Sequence, residues 1–139
     1  IKSDGKIVDL DGINPVKVNT LSGNYFIVIG HRNHLPVMSA NPQTLNTTSS
    51  LYDFSTGLTQ YYAGAAANLG GGVFGLFAGD ANKSFIITAA DYTVVTANLT
   101  LANYNQGDIN MSGIVSAADY NLITANLLKA SNVPNYPPK

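Results

Sequence analysis

The sequence predicts an α+β protein: a small antiparallel β domain, sandwich-like, followed by a pair of loop–helix units. Three observations carry this expectation. Residues 79–99, GDANKSFIITAADYTVVTANL, return 28 positions later as residues 107–127, GDINMSGIVSAADYNLITANL. Each copy runs from a polar, Gly-started stretch into an apolar stripe at helical spacing. Residues 1–58 instead hold short runs of Val, Ile and aromatic residues separated by turn clusters, which is a strand pattern.

Taken in order, Asp9-Leu10-Asp11-Gly12 and Leu21-Ser22-Gly23-Asn24 are the turn clusters. Strands are expected over 6–10, 16–20 and 25–30. The segment 24–30, NYFIVIG, is the strongest and is expected to be buried on both faces. Residues 31–40 continue it or form the next strand, with Pro36 at an edge or bulge. Residues 41–50 read as a polar loop and 51–54 as a further short strand. Residues 61–69, YYAGAAANL, are expected to form one short helix stopped by Gly70-Gly71-Gly72. Residues 73–77 read as an apolar connector, and the Pro-rich tail 132–139 as extended chain. A boundary near 70–78 gives a β-rich domain at 1–72 and the loop–helix repeats at 73–139.

Composition narrows the function classes. Charged residues make up 11% of the 139 positions, against a usual share of about 25%. The net charge is −1, and Lys and Arg occur singly. This is no footprint for nucleic acid. No apolar run approaches the roughly 20 residues that span a bilayer. The chain begins with Ile rather than Met, so a processed product or a piece of a longer protein is expected. Cysteine is absent, which removes disulfides and thiolate chemistry. Glutamate is absent too. All eight acids are Asp, and Asp80, Asp91, Asp108 and Asp119 open and close the two repeated loops.

That placement is the chemistry in the chain. Calcium takes about six to eight oxygen ligands, and a twelve-residue loop supplies them from positions 1, 3, 5, 7, 9 and 12. In the first loop these are Asp80, Asn82, Ser84, Ile86, Thr88 and Asp91. In the second they are Asp108, Asn110, Ser112, Ile114, Ser116 and Asp119. Position 7 offers a backbone carbonyl, and every side-chain position carries oxygen. Asp91 and Asp119 also suit a helix start, where exposed N–H groups favour negative charge. Val94, Val95 and Leu99 in one copy match Leu122, Ile123 and Leu127 in the other. The two helices are therefore expected to pack face to face. The expected cofactor is one or two structural Ca2+ ions.

On these residues the repeat resembles dockerin, the module with two EF-hand-type loops of the form D-x-N-x-D-G-x-[IV]-x-x-x-D. The resemblance covers about residues 79–128. Position 5 departs from it as Ser84 and Ser112. Position 6 keeps glycine as Gly113 but has Phe85 in the first loop. Two formal charges per loop imply weaker calcium affinity, with the first loop the poorer. The wider set GKIVDLDG, GNYFIVIGHRNHLPVMSAN, YDFSTG and GGGVFGLFAGDAN is similar to a C-terminal-type module of large secreted proteins of Bacteroidota-type bacteria. That resemblance implies an extracellular or cell-surface location and names no activity.

Other patterns weigh less. In a strand, His31 and His34 would lie on opposite faces and could not share an ion. The triple glycine at 70–72 lacks the Lys-Ser/Thr of a phosphate loop. No serine has a recognisable partner set, and no enzymatic activity is expected. Two functions remain. One is docking onto a protein partner through a helix face bearing Tyr92, Thr93 and Thr96, matched by Tyr120, Asn121 and Thr124. The other is self-association into a homopolymer, a fibre subunit completing its neighbour's sheet by strand addition.

Overall fold

The computed structural model describes residues 6–136. The architecture is mixed α+β, as the sequence predicts at that level. Among the described residues, short antiparallel strands form three two-stranded sheets, and two helices follow. Strands β1 (Gly23–Tyr25) and β4 (Gln43–Leu45) pair, with Asn24 opposite Thr44. Strands β2 (Val28–Ile29) and β3 (Val37–Met38) pair, with Val28 opposite Met38. Strands β5 (Ala67–Gly70) and β6 (Val73–Gly75) form a hairpin. Helix α1 is Asp91–Ala97 and helix α2 is Ala117–Ala125.

Several local expectations are corrected. Three separate pairs replace a sandwich. The segment 24–30 is broken into β1 and β2, and it alternates between half-buried and exposed residues, with Phe26 and Val28 exposed. It therefore packs on one face only. Residues 16–20 carry no strand, while the supposed polar loop 41–50 contains β4. Phe54–Thr56 is a 3-10 turn capped by Asp53, whose carboxylate accepts from Ser55 N.

The largest correction concerns 61–69. Tyr62–Gly64 makes only a 3-10 turn, and Ala63 has φ 52° and Gly64 φ 64°. That left-handed pair ends the helix after one turn. The Ala-rich remainder becomes β5, and the three glycines all have positive φ and turn the chain into β6. The glycines close a hairpin instead of stopping a helix. Of the expected extended tail, residues 132–136 carry no helix or strand, and 137–139 lie outside the described residues.

Two clusters form the core. Val37, Tyr61 and Ala66 are packed by Ile29, Phe54, Phe74 and Leu76. The second cluster gathers Ala78, Ala81, Ile87, Val95, Ile109, Val115 and Ile123, together with Leu35 from the β-rich half. Val95 and Ile123 are its fully buried helix residues, flanked by half-buried Val94 and Leu122. Leu99 and Leu127, expected on the same stripe, are each 39% exposed. Both helices end before them, at Asn98 and Asn126.

The repeats join reciprocally. Ile87 N donates to Lys129 O and Leu128 N to Ile87 O. At the equivalent positions, Val115 N donates to Leu101 O and Thr100 N to Val115 O. The eighth residue of each loop thus pairs with the segment that follows the other repeat's helix, and the two units are related by an approximate two-fold.

Candidate metal loops

The two loops fold alike, with the same side-chain hydrogen bonds in each. In the first, Asp80 Oδ1 and Asn82 Oδ1 both accept from Ser84 N at 2.9 Å. In the second, Asp108 Oδ1 and Asn110 Oδ1 accept from Ser112 N at 2.9 and 3.0 Å. One donor thereby holds the position-1 and position-3 oxygens side by side. The fifth residue turns its hydroxyl toward the seventh carbonyl. Ser84 Oγ lies 2.9 Å from Ile86 O, and Ser112 Oγ lies 3.2 Å from Ile114 O.

The closing carboxylate spans each loop. Asp91 accepts from Asn82 N at 3.0 Å and Thr88 N at 2.8 Å. Asp119 accepts from Asn110 N at 2.9 Å and Ser116 N at 2.8 Å. Asp91 begins α1, while Asp119 forms a capping box with Ser116 at the start of α2. The position-9 hydroxyls stand beside them, Thr88 Oγ1 at 3.5 Å and Ser116 Oγ at 3.3 Å.

All four aspartates are buried, Asp91 and Asp119 completely. Burial raises the Asp80 carboxyl above its usual range, and the nearby Asp91 charge raises it further. Backbone N–H groups of Phe85, Ser84 and Lys83 act in the opposite direction. In the first loop the two buried carboxylates repel each other, and a cation between them would relieve that repulsion. Among the described residues, no cluster of three or more His, Cys, Asp or Glu side chains forms. Each loop contributes two carboxylates, and its other oxygens are amide, hydroxyl and carbonyl, a donor set that suits a hard cation.

Phe85 replaces glycine in the first loop, and its backbone takes the glycine conformation nonetheless. Its φ is 67°, against 91° for Gly113, and Phe85 N still reaches Asp80 Oδ2 at 3.1 Å. Left-handed φ costs a non-glycine residue about 1–2 kcal/mol. Tertiary contacts offset this. The Phe85 ring meets Tyr136 edge-on at 5.3 Å, and its carbonyl accepts from Ser131 N.

The segment 31–34 sits against the second loop, a placement that sequence reasoning misses. It bends at Arg32 and Asn33, and His34 makes an isolated antiparallel bridge to Ala78 instead of continuing a strand. His31 Nδ1 and His34 Nδ1 therefore lie 2.9 Å apart, correcting the expectation that the rings point to opposite faces. Arg32 reaches Asp108 Oδ2 at 3.4 Å and lies over the Tyr104 ring at 4.1 Å. Asn33 Nδ2 donates to Gln106 O and Asp108 O. The only signal in the sequence is four consecutive polar residues next to a strong strand.

The expected docking face is also partly committed elsewhere. Tyr92 pairs with Thr124 and Tyr120 with Thr96 across the helix pair. Thr93 and Asn121 remain exposed.

Comparison with protein-family models, with curated proteins and with solved structures finds no match.

Proposed function

We propose that residues 79–128 form a dockerin-like pair of EF-hand-type units holding structural calcium, within an extracellular, non-enzymatic interaction module. The observation that carries this reading is the inward burial of Asp80 with Asp91, and of Asp108 with Asp119, in loops of one shared geometry. Backbone N–H donors and, at Asp108, Arg32 offset part of the cost of burying these like charges, and a bound cation would offset the rest. The side chains that would hold the ions are Asp80, Asn82, Ser84, Thr88 and Asp91 in one loop, and Asp108, Asn110, Ser112, Ser116 and Asp119 in the other. The Ile86 and Ile114 carbonyls complete each set. An ion bound there would link the loop to the first turn of its helix, adding binding free energy to a small core. The extracellular setting rests on the family resemblance alone.

The test is calorimetric titration of the chelator-treated chain with CaCl2, beside Asp108→Ala and Asp80→Ala. Heat that saturates and is reduced by both substitutions supports the reading. No heat in the native chain ends it.

One observation favours assembly into a homopolymer as a second reading. Leu10, Ile13, Val18 and Leu21 are exposed along a stretch without regular strand pairing. The three two-stranded sheets also offer edges. Calcium-dependent polymers of the pure chain in light scattering would favour this reading over docking to a foreign protein. Among the described residues, no helix is long and apolar enough to cross a membrane.

A further inference from the structure

Asn33 touches the start of both loops. It is fully buried. Its backbone carbonyl accepts from Gly79 N at 2.9 Å, one residue before Asp80. Its Nδ2 donates to Gln106 O at 3.0 Å and to Asp108 O at 2.8 Å.

The repeat by itself does not supply this link. In the first unit, the Ala78 carbonyl is held by Asn126 Nδ2 at 2.9 Å. A strict two-fold would give the equivalent Gln106 carbonyl to Asn98. Asn98 instead donates to Val94 O and accepts from Asn105 Nδ2 at 2.9 Å. Asn33, from outside the repeat, takes the vacated role. His34 fixes the orientation of its amide. With the Asn33 Nδ2 hydrogens donated to carbonyls, Asn33 Oδ1 is the acceptor and His34 Nδ1, at 2.8 Å, is the donor.

We propose that Asn33 is a positioning residue that couples the two calcium loops, so that an ion in one raises the affinity of the other. This rests on the calcium reading given above. An ion at Asp108 orders the carbonyls of Gln106 and Asp108, and these hold the Asn33 amide. An ordered Asn33 holds Gly79, and Gly79 leads directly into Asp80. The ordering cost shared by the two sites is then incurred at the first binding and not at the second. Coupling of this kind is reciprocal. The Ile87 and Val115 backbone pairings also join the repeats, and a change at Asn33 leaves them in place.

The experiment is calorimetric titration of the full chain with CaCl2, native and Asn33→Asp. The variant keeps the side-chain shape but sets carboxylate oxygen against two carbonyls. The native chain is expected to bind two ions with positive cooperativity. Asn33→Asp is expected to bind both with the coupling factor lowered about tenfold. Non-cooperative binding in the native chain, or equal cooperativity in the variant, overturns the inference and leaves the calcium reading standing. No binding in the native chain overturns both.

A second measurement covers a variant that does not fold. In Asp91→Asn, with the first loop disabled, calcium at the second loop is expected to slow hydrogen exchange at the Gly79 amide by about tenfold. Protection of Gly113 without any change at Gly79 overturns the coupling.

Discussion

The rings of Tyr92 and Tyr120, at equivalent positions in the repeat, stack across the helix pair with centroids 5.6 Å apart and planes at 27°. Their hydroxyls complete the symmetry. Tyr92 Oη lies 2.8 Å from Thr124 Oγ1, and Tyr120 Oη lies 2.8 Å from Thr96 Oγ1. Each threonine hydroxyl already donates to a carbonyl one turn back, Thr124 to Tyr120 O and Thr96 to Tyr92 O. The tyrosine is therefore the donor in both pairs. Tyr92→Phe and Tyr120→Phe are each expected to cost about 1 kcal/mol. Thermal unfolding of both variants should show nearly equal losses, and a clear inequality would count against the two-fold pairing.

Removing calcium should lower the melting temperature. An ion at about 100 times its dissociation constant contributes about 2.7 kcal/mol. Asp108→Ala should lower Tm more than Asp80→Ala in calcium buffer, because Gly113 takes positive φ without the strain Phe85 bears. A melting curve unmoved by chelator would remove calcium from the account.

The sixth loop position separates strain from packing. Gly113 has φ 91° with open space where a side chain would sit. Gly113→Ala should then cost about 1–2 kcal/mol through backbone strain alone. Phe85→Gly relieves similar strain but loses the Tyr136 contact, worth about 0.5–1.5 kcal/mol. Denaturant unfolding should show a clear loss for the first and a small change for the second.

Acidification should loosen the contact between the β-rich half and the second loop. Burial, joined by the neighbouring His31 and Arg32 charges, lowers His34 from 6.5 to about 4. The fold therefore favours the neutral ring. Its contribution is fully present above 6.5 and is lost as pH falls from 6.5 toward 4, up to about 3 kcal/mol. His34→Gln keeps a donor for Asn33 and removes the titration. Tm measured from pH 7 to 4.5 should fall more steeply for the native chain than for this variant.

Glycine at the start of the first loop is fixed by contact as well as by angle. Gly79 has φ 127°, and an added Cβ would sit 3.1 Å from Ile123 Cα in α2. Gly79→Ala is expected to destabilise by about 1–3 kcal/mol. An unchanged Tm would contradict the close approach of loop and helix.

Local pattern in the chain is enough for the α+β class, the two helices and the likeness of the two loops. The reason is that ligand spacing and helical periodicity act over a dozen residues, and the duplication states them twice. Spacing alone pairs Asp80 with Asp91, and Asp108 with Asp119. Long-range packing settles the rest. YYAGAAANL has helical composition, yet left-handed Ala63 and Gly64 and the pairing of β5 with β6 make its second half a strand. Phe85 holds a glycine conformation because Tyr136 and Ser131, far along the chain, stabilise it. Asn33 reaches Gln106 and Asp108 across more than 70 residues. Contacts of that range follow from how the halves pack, and no local pattern in the chain encodes them.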